Sequence, residues 1–179
     1  MRTNDIRLFL ADDLIAYRMS FAEVLEREHD MRVVGQVSTI AEARDALNSI
    51  HEPVDVAVVG MKLPDGPGKN ILPEVHAISP ACHLVMMRAN WNARDDALAV
   101  AAGASALFPR SATTEEILKG IRELCAGNML IPQEHRIAYL HKALTYQAEG
   151  DAAHSALSRF THREEEIFWA LAEGESDKE

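Results

Sequence analysis

Asp12 and Asp13 stand side by side at the end of a short apolar run, Ile6-Arg7-Leu8-Phe9-Leu10-Ala11. Adjacent carboxylates repel one another, so a pair held at such a place needs positive charge nearby. Two arginines could supply it: Arg88 and Arg110 each close a further apolar segment, Leu84-Val85-Met86-Met87 and Ala106-Leu107-Phe108-Pro109. An Arg–Asp contact in a partly buried cleft is charge-assisted and worth roughly 1.5–3 kcal/mol per hydrogen bond. Between these segments lies Val54-Asp55-Val56-Ala57-Val58-Val59-Gly60, a β-branched run that stops at a glycine and passes into a loop rich in Pro, Asp and Gly. That is how a buried parallel strand ends. In an open α/β sheet, ligand chemistry sits just beyond the carboxyl ends of the strands, so Gly60 stands where a reactive side chain belongs and offers none. No nucleophile can be paired with a base from this sequence, and a catalytic reading is the weakest of those open to it.

The elements that must position these residues alternate. Residues 6–11 read as a strand, and residues 14–29 as a helix carrying Leu14, Ile15, Met19, Phe21, Ala22, Val24 and Leu25 at helical spacing. Residues 31–37 form a second strand, and Thr39 with Glu42 three positions on can cap a helix over 40–50. A third strand at 54–59 leads to a third helix from 65 to 78, which Pro73 must shorten or bend. A strand at 83–87, an alanine-rich helix at 93–102, a strand at 106–108 and a helix at 113–126 stopped by Gly127 complete the series. Five strands alternating with five helices imply an α/β fold, a flavodoxin-like doubly wound parallel sheet of order 2-1-3-4-5 with right-handed crossovers.

Residues 132–149 read as a sixth helix with Ile137, Leu140 and Leu144 on one stripe. Such a stripe packs on its own domain or forms a dimer seam, and three residues do not separate the two. Residues 150–158 read as a small-residue linker. The chain thus divides into a sheet domain at 1–131, a linker helix and loop at 132–158, and a final segment at 159–179.

Composition narrows the function classes. With 18 basic and 28 acidic residues among 179, the net charge of −10 disfavours a nucleic-acid surface on this chain. Cys82 and Cys125 are too few and too far apart for a disulfide framework or a metal site and read as small core residues. Of the eight histidines, His135 and His141 are nearest to a cluster, and their spacing of six puts them on different helix faces. Trp91 reads as a partly packed loop aromatic. No apolar run approaches the roughly 20 residues of a membrane span, and residues 1–5 lead into a strand without a signal peptide, so a cytoplasmic protein without membrane contact is expected.

The stretch 54–68, VDVAVVGMKLPDGPG, resembles the third strand and following loop of bacterial response-regulator receiver domains, Leu63-Pro64-Asp65-Gly66 following that family's loop almost letter for letter. The resemblance implies a pocket in which Asp12 and Asp13 match the acidic pair that helps to hold magnesium. It places Gly60 at the phosphate-accepting aspartate, Arg88 at a threonine or serine, Arg110 at a lysine, and Leu107 where many relatives carry a switching aromatic. Glycine cannot form the acyl phosphate, and its lost carboxylate also removes a magnesium ligand. The expectation is therefore a degenerate phosphorylation pocket with no cofactor and weak or absent magnesium, in which Arg88, with Arg110 beside it, serves as an internal counter-ion to Asp12 and Asp13.

Residues 160–174 resemble the first helix of the helix-turn-helix domain of NarL/LuxR-type regulators, and residues 176–179 the start of its next helix. The implied protein is a phosphorylation-independent receiver of a transcription regulator, with an incomplete DNA-binding segment here and DNA contact through a longer parent. Residues 151–179 hold eight acidic and three basic residues, a net of −5, opposite to what a DNA surface requires. The alternative is a stand-alone module for dimerisation or partner binding. Either way a homodimer is expected, with a regulatory protein or small molecule as the source of control.

Overall fold

The computed structural model describes residues 5–90 and 92–157; Trp91, the helix-turn-helix resemblance at 160–179 and the amino-terminal residues 1–4 lie outside them. Numbering only the strands of the central sheet, the order is β1 (Ile6–Ala11), α1 (Ile15–Arg27), β2 (Met31–Val37), α2 (Ile40–Ser49), β3 (Val56–Gly60), α3 (Leu72–Ile78), β4 (His83–Arg88), α4 (Ala93–Ala101), β5 (Ala104–Pro109), α5 (Thr114–Cys125) and α6 (Gln133–Leu157). The five strands are parallel and ordered β2-β1-β3-β4-β5.

Side-chain alternation builds two cores on this one sheet. Leu8, Leu10, Val56, Val58, Val85, Met87 and Ala106 face Phe21, Ala22 and Leu25 of α1 and Ile117, Ile121 and Leu124 of α5. Phe9, Ala11, Ala57, Val59, Leu84, Met86 and Ala104 face Ile40, Ala43 and Leu47 of α2, Leu72 and Val75 of α3, and Ala99 of α4. Each large apolar side chain removed from water in this way contributes about 1.5–3 kcal/mol. All five residues of β3 are buried, as the continuous β-branched run requires.

Capping chemistry fixes where the helices begin. Thr39 accepts from the Glu42 amide at 3.0 Å, and the Glu42 carboxylate reaches back to the Ser38 amide at 2.6 Å. Asp65, from the loop after β3, takes the amides of Ile40 and Ala41, both at 2.9 Å. The Leu-Pro-Asp-Gly loop is thereby tied to the start of α2 through two more of the free N–H groups there. Thr113 and Glu116 form a full capping box at α5, and Gly127, with φ +85°, ends that helix.

Three segments depart from the periodicity reading. A single helix over 65–78 is replaced by a two-residue antiparallel hairpin (Lys62–Leu63 with Gly66–Pro67), a 3-10 turn (Gly68–Ile71) and a short α3, because Pro73 is tolerated only in the first turn of a helix. The linker expected at 150–158 continues as helix to Leu157, since small residues such as Ala152 and Ala153 favour helix once one is under way. In α1, Leu14, Ile15 and Met19 are 48–61% exposed and only Phe21, Ala22 and Leu25 are buried. The chain forms two compact units, Met1–Leu140 and His141–Glu179, and the second contributes the remainder of α6 among the described residues.

Gly68 marks the tightest crossing in the first unit. A Cβ there would lie 1.9 Å from the carbonyl oxygen of Gly60 and 2.9 Å from Val59 Cγ1, and neither backbone can yield. Gly68→Ala is expected to destabilise the protein by more than about 3 kcal/mol, read as a fall in the urea midpoint at unchanged slope. Asp65 has its carboxyl held below its ordinary value of 3.8, chiefly by the Ile40 amide, so it stabilises the fold above that pH and loses this effect as the pH falls through its lowered pKa. Asp65→Asn should flatten the acid limb of the stability curve measured by circular dichroism.

Candidate functional site

The carboxyl ends of β1, β3 and β5 meet at one edge, and strand parity decides which side chains share it. Asp12 continues the face of Leu8 and Leu10, Gly60 that of Val56 and Val58, and Arg110 that of Ala106 and Phe108. All three therefore come together on the α1/α5 side of the sheet. Arg110 Nη2 donates to Asp12 Oδ2 at 2.7 Å and to Asp13 Oδ1 at 3.3 Å. Asp12 Oδ1 accepts from the Leu14 amide at 2.9 Å, the Asp12 amide bonds to the Val37 carbonyl at 3.1 Å, and Arg18 Nη1 donates to the Asp12 carbonyl and to Ser38 Oγ. Asp12 is buried while Asp13 remains half open to solvent.

Charge and burial oppose each other here. Burial pushes the Asp12 carboxyl above its ordinary value and Asp13 adds to the rise, while the Leu14 amide and Arg110 pull it back. The Arg110 guanidinium lies 5.6 Å over the ring of Tyr17, which stacks on Phe21 with centroids 6.0 Å apart. Tyr17 is also raised, first by burial and then by the negative charge of Asp12.

Gly60 opens directly into this cluster. A Cβ built on it would lie 3.0 Å from Asp12 Oδ2, 3.3 Å from Arg110 Nη2 and 3.5 Å from the Lys62 carbonyl oxygen. Its φ is not positive, so the backbone does not demand glycine. The backbone conformation would accept a side chain, but the Asp12 carboxylate and the Arg110 guanidinium close around the position and would have to give by a few tenths of an ångström to admit one.

Arg88 does not join the cluster, which corrects its expected role as counter-ion. Parity puts it with Leu84 and Met86 on the α4 side of the sheet, where its Nη1 donates to Asp96 Oδ2 at 2.5 Å. Asp96 is fully buried in the first turn of α4, and its Oδ1 has no hydrogen-bond partner among the described residues. Burial pushes the Asp96 carboxyl up and Arg88 opposes it. Among the described residues the cation paired with Asp12 and Asp13 is Arg110.

Magnesium, which the receiver resemblance implies, does not fit these residues. Both available carboxylates already bond to one guanidinium, and among the described residues no group of three or more His, Cys, Asp or Glu could hold a metal ion. Leu107 is half-buried against the α2/α3/α4 core. Cys82 is buried with its thiol pushed up to about 12, whereas Cys125 is exposed on α5 rather than in the core, its thiol near 11; neither is an activated nucleophile. Sequence reasoning missed Tyr17, Arg18 and Asp96. The β-strand period of two, carried past the strand ends, would have separated Arg88 from Asp12; the helix spacing of α1 gives no sign that Tyr17 and Arg18 turn toward β1.

Arg110→Met would leave Asp12 buried without its cation. The expected cost is about 3 kcal/mol at neutral pH. That cost vanishes below about pH 3.8, where Asp12 is protonated in native and unfolded chains alike. Paired urea titrations at pH 7 and pH 3.5 measure the difference. In the unsubstituted protein the raised Asp12 pKa acts in the same sense, adding stability as the pH falls through it toward 3.8.

No family model matches the chain. Over 176 residues it is 25% identical to the DNA-binding transcriptional activator DevR/DosR of Mycobacterium tuberculosis, a match spanning 97% of this chain and 77% of that protein. Its fold matches a two-component response regulator of the LuxR family from Aurantimonas sp. SI85-9A1 with a TM-score of 0.63 at 19% identity, over 81% of this chain and 99% of that one. It also matches a CheY-like response-regulator receiver domain from Methanospirillum hungatei JF-1 with a TM-score of 0.62 at 23% identity, over 69% and 96%. The chain is thus related by sequence to a DNA-binding regulator along nearly its whole length, and its sheet domain has the fold of response-regulator receivers.

Proposed function

We propose that this chain is the receiver part of a LuxR-type transcription regulator that works without phosphorylation. The observation that carries the reading is the bond from Arg110 Nη2 to Asp12 Oδ2, next to a Gly60 whose missing side chain would have pointed at both groups. Phosphoryl transfer to a receiver requires a carboxylate oxygen to attack phosphorus and a cation to steady the developing charge. Gly60 offers no oxygen, and a fixed guanidinium already bonds to both carboxylates and offsets one of their two charges. The domain then holds one electrostatic state permanently, and its role is to bind rather than to catalyse.

The transcription-regulator half of the proposal draws on the likeness to DevR/DosR, named as a DNA-binding activator. A homodimer fits the same reading: Ile137, Leu140 and Leu144 on α6 are 49%, 39% and 65% exposed, an unusual cost for apolar side chains left in water.

The test is incubation of the full chain with acetyl phosphate and magnesium, followed by intact mass and peptide mapping. The unmodified protein is expected to gain no phosphoryl group at this edge of the sheet. Gly60→Asp, which places a carboxylate against the acidic pair, is the comparison that shows whether the pocket is otherwise competent. A phosphoryl group found on Asp12 or Asp13 of the unmodified protein overturns the proposal.

A further inference from the structure

On the α4 side of the sheet, opposite to the acidic cluster, lies a groove that the proposed function leaves unused. It runs between the loop after β3 and the side of α4, encloses about 350 Å³, and is walled by Met61, Leu63, Met86 and Leu98. That volume falls in the range of small-molecule sites, and thioether side chains adapt to an irregular apolar body. The charged groups on the lining are Lys62, Lys69 and Asp95. Among the described residues the lysine engaged in an ion pair is Lys119, with Glu123; Lys62 and Lys69 are not so engaged. Two cations against one carboxylate leave an apolar groove with net positive charge, in a chain whose overall charge is −10.

We propose that this groove binds a small amphipathic carboxylic acid, its apolar body against the partly exposed Met61 and Leu98, with Met86 behind them, and its carboxylate held by Lys62 and Lys69. The chemistry on each side selects this class. A neutral apolar molecule leaves both ammonium groups without a counter-charge, and an inorganic anion leaves the methionine and leucine walls wet.

Occupancy would be felt at the sheet edge through bonds already in place. The Met61 amide donates to the Met87 carbonyl at 2.8 Å, and the Gly68 amide to the Met61 carbonyl at 2.9 Å, so the groove wall is continuous with the Gly60–Gly68 crossing. On the other side, Asp95 precedes Asp96, which Arg88 ties to the end of β4. A ligand gripping both walls would fix α4 against the loop after β3. The inference rests on the phosphorylation-independent reading only for its regulatory meaning, supplying an input where the phosphoryl group is not one. Binding itself is tested without phosphate chemistry, so the two can fail separately.

The experiment uses the full chain with 13C-labelled methionine methyl groups, titrated with decanoate below its micelle concentration, and with decanol and inorganic phosphate as the uncharged and headgroup-only probes. Decanoate is expected to shift the Met61 and Met86 resonances saturably while those of the exposed Met19 and Met129 stay in place. Lys62→Gln with Lys69→Gln, at positions outside the core, should weaken decanoate about tenfold or more and leave decanol unchanged. Leu98→Phe, which fills the groove, should abolish the shifts. The proposal is overturned if decanoate produces no saturable shift at Met61 and Met86, if decanol or phosphate binds as tightly as decanoate, or if the double lysine variant binds decanoate as the unmodified protein does.

Discussion

A carboxylate buried at the end of a strand must find positive charge, and the arrangement around Asp12 follows from that constraint. Asp12 cannot move into water without breaking its amide bond to the Val37 carbonyl and its side-chain bond to the Leu14 amide, which set the exit from β1 and the entry to α1. Arg110 answers it from the far edge of the sheet, across the space that a side chain at position 60 would otherwise take. The Arg110 guanidinium also lies over the Tyr17 ring, so the cation is held by ring contact as well as by charge. One ion pair thereby fixes the relation of β1, β3, β5 and α1 at the edge where an open parallel sheet does its chemistry.

The same edge is pinned from the opposite side by backbone geometry. Gly60 and Gly68 approach so closely that neither position is independent of the other, and the loop between them is closed by a two-residue hairpin and by Asp65 capping α2. Position 60 is thus rigidly framed even though it bears no side chain.

Arg88 and Asp96 form a second buried charge pair, on the other face of the sheet, and it serves α4 rather than the acidic cluster. Separating the two pairs by sheet face means that the environment of α4 is set locally, by one arginine from β4 and by the groove between α4 and the loop after β3. Two charged sites, each built on an arginine that follows a strand of the same sheet, therefore answer to different neighbours.

Much of the fold was legible in the sequence. The alternation of β-branched runs with helical spacing showed five strands, four crossover helices and a closing fifth helix, and the doubly wound class they imply has the strand order observed; Thr39, Thr113 and Gly127 marked helix ends by their own local chemistry. Asp12, Asp13, Gly60 and Arg110 could be assembled because each sits directly after a strand, and strand ends are all at one edge. Tertiary structure alone decided the rest. Strand parity separates Arg88 from Asp12, but that Arg110 reaches Asp12 across the sheet and that Arg88 finds Asp96 on α4 are set by packing between segments distant in the chain. Whether the apolar residues of α1 and α6 are buried depends on neighbours that helical spacing does not specify, which is why Leu14, Ile15 and Met19 read as core and stand in solvent. Local sequence fixes backbone period and capping; the partner of a charge and the burial of a stripe are properties of the assembled chain.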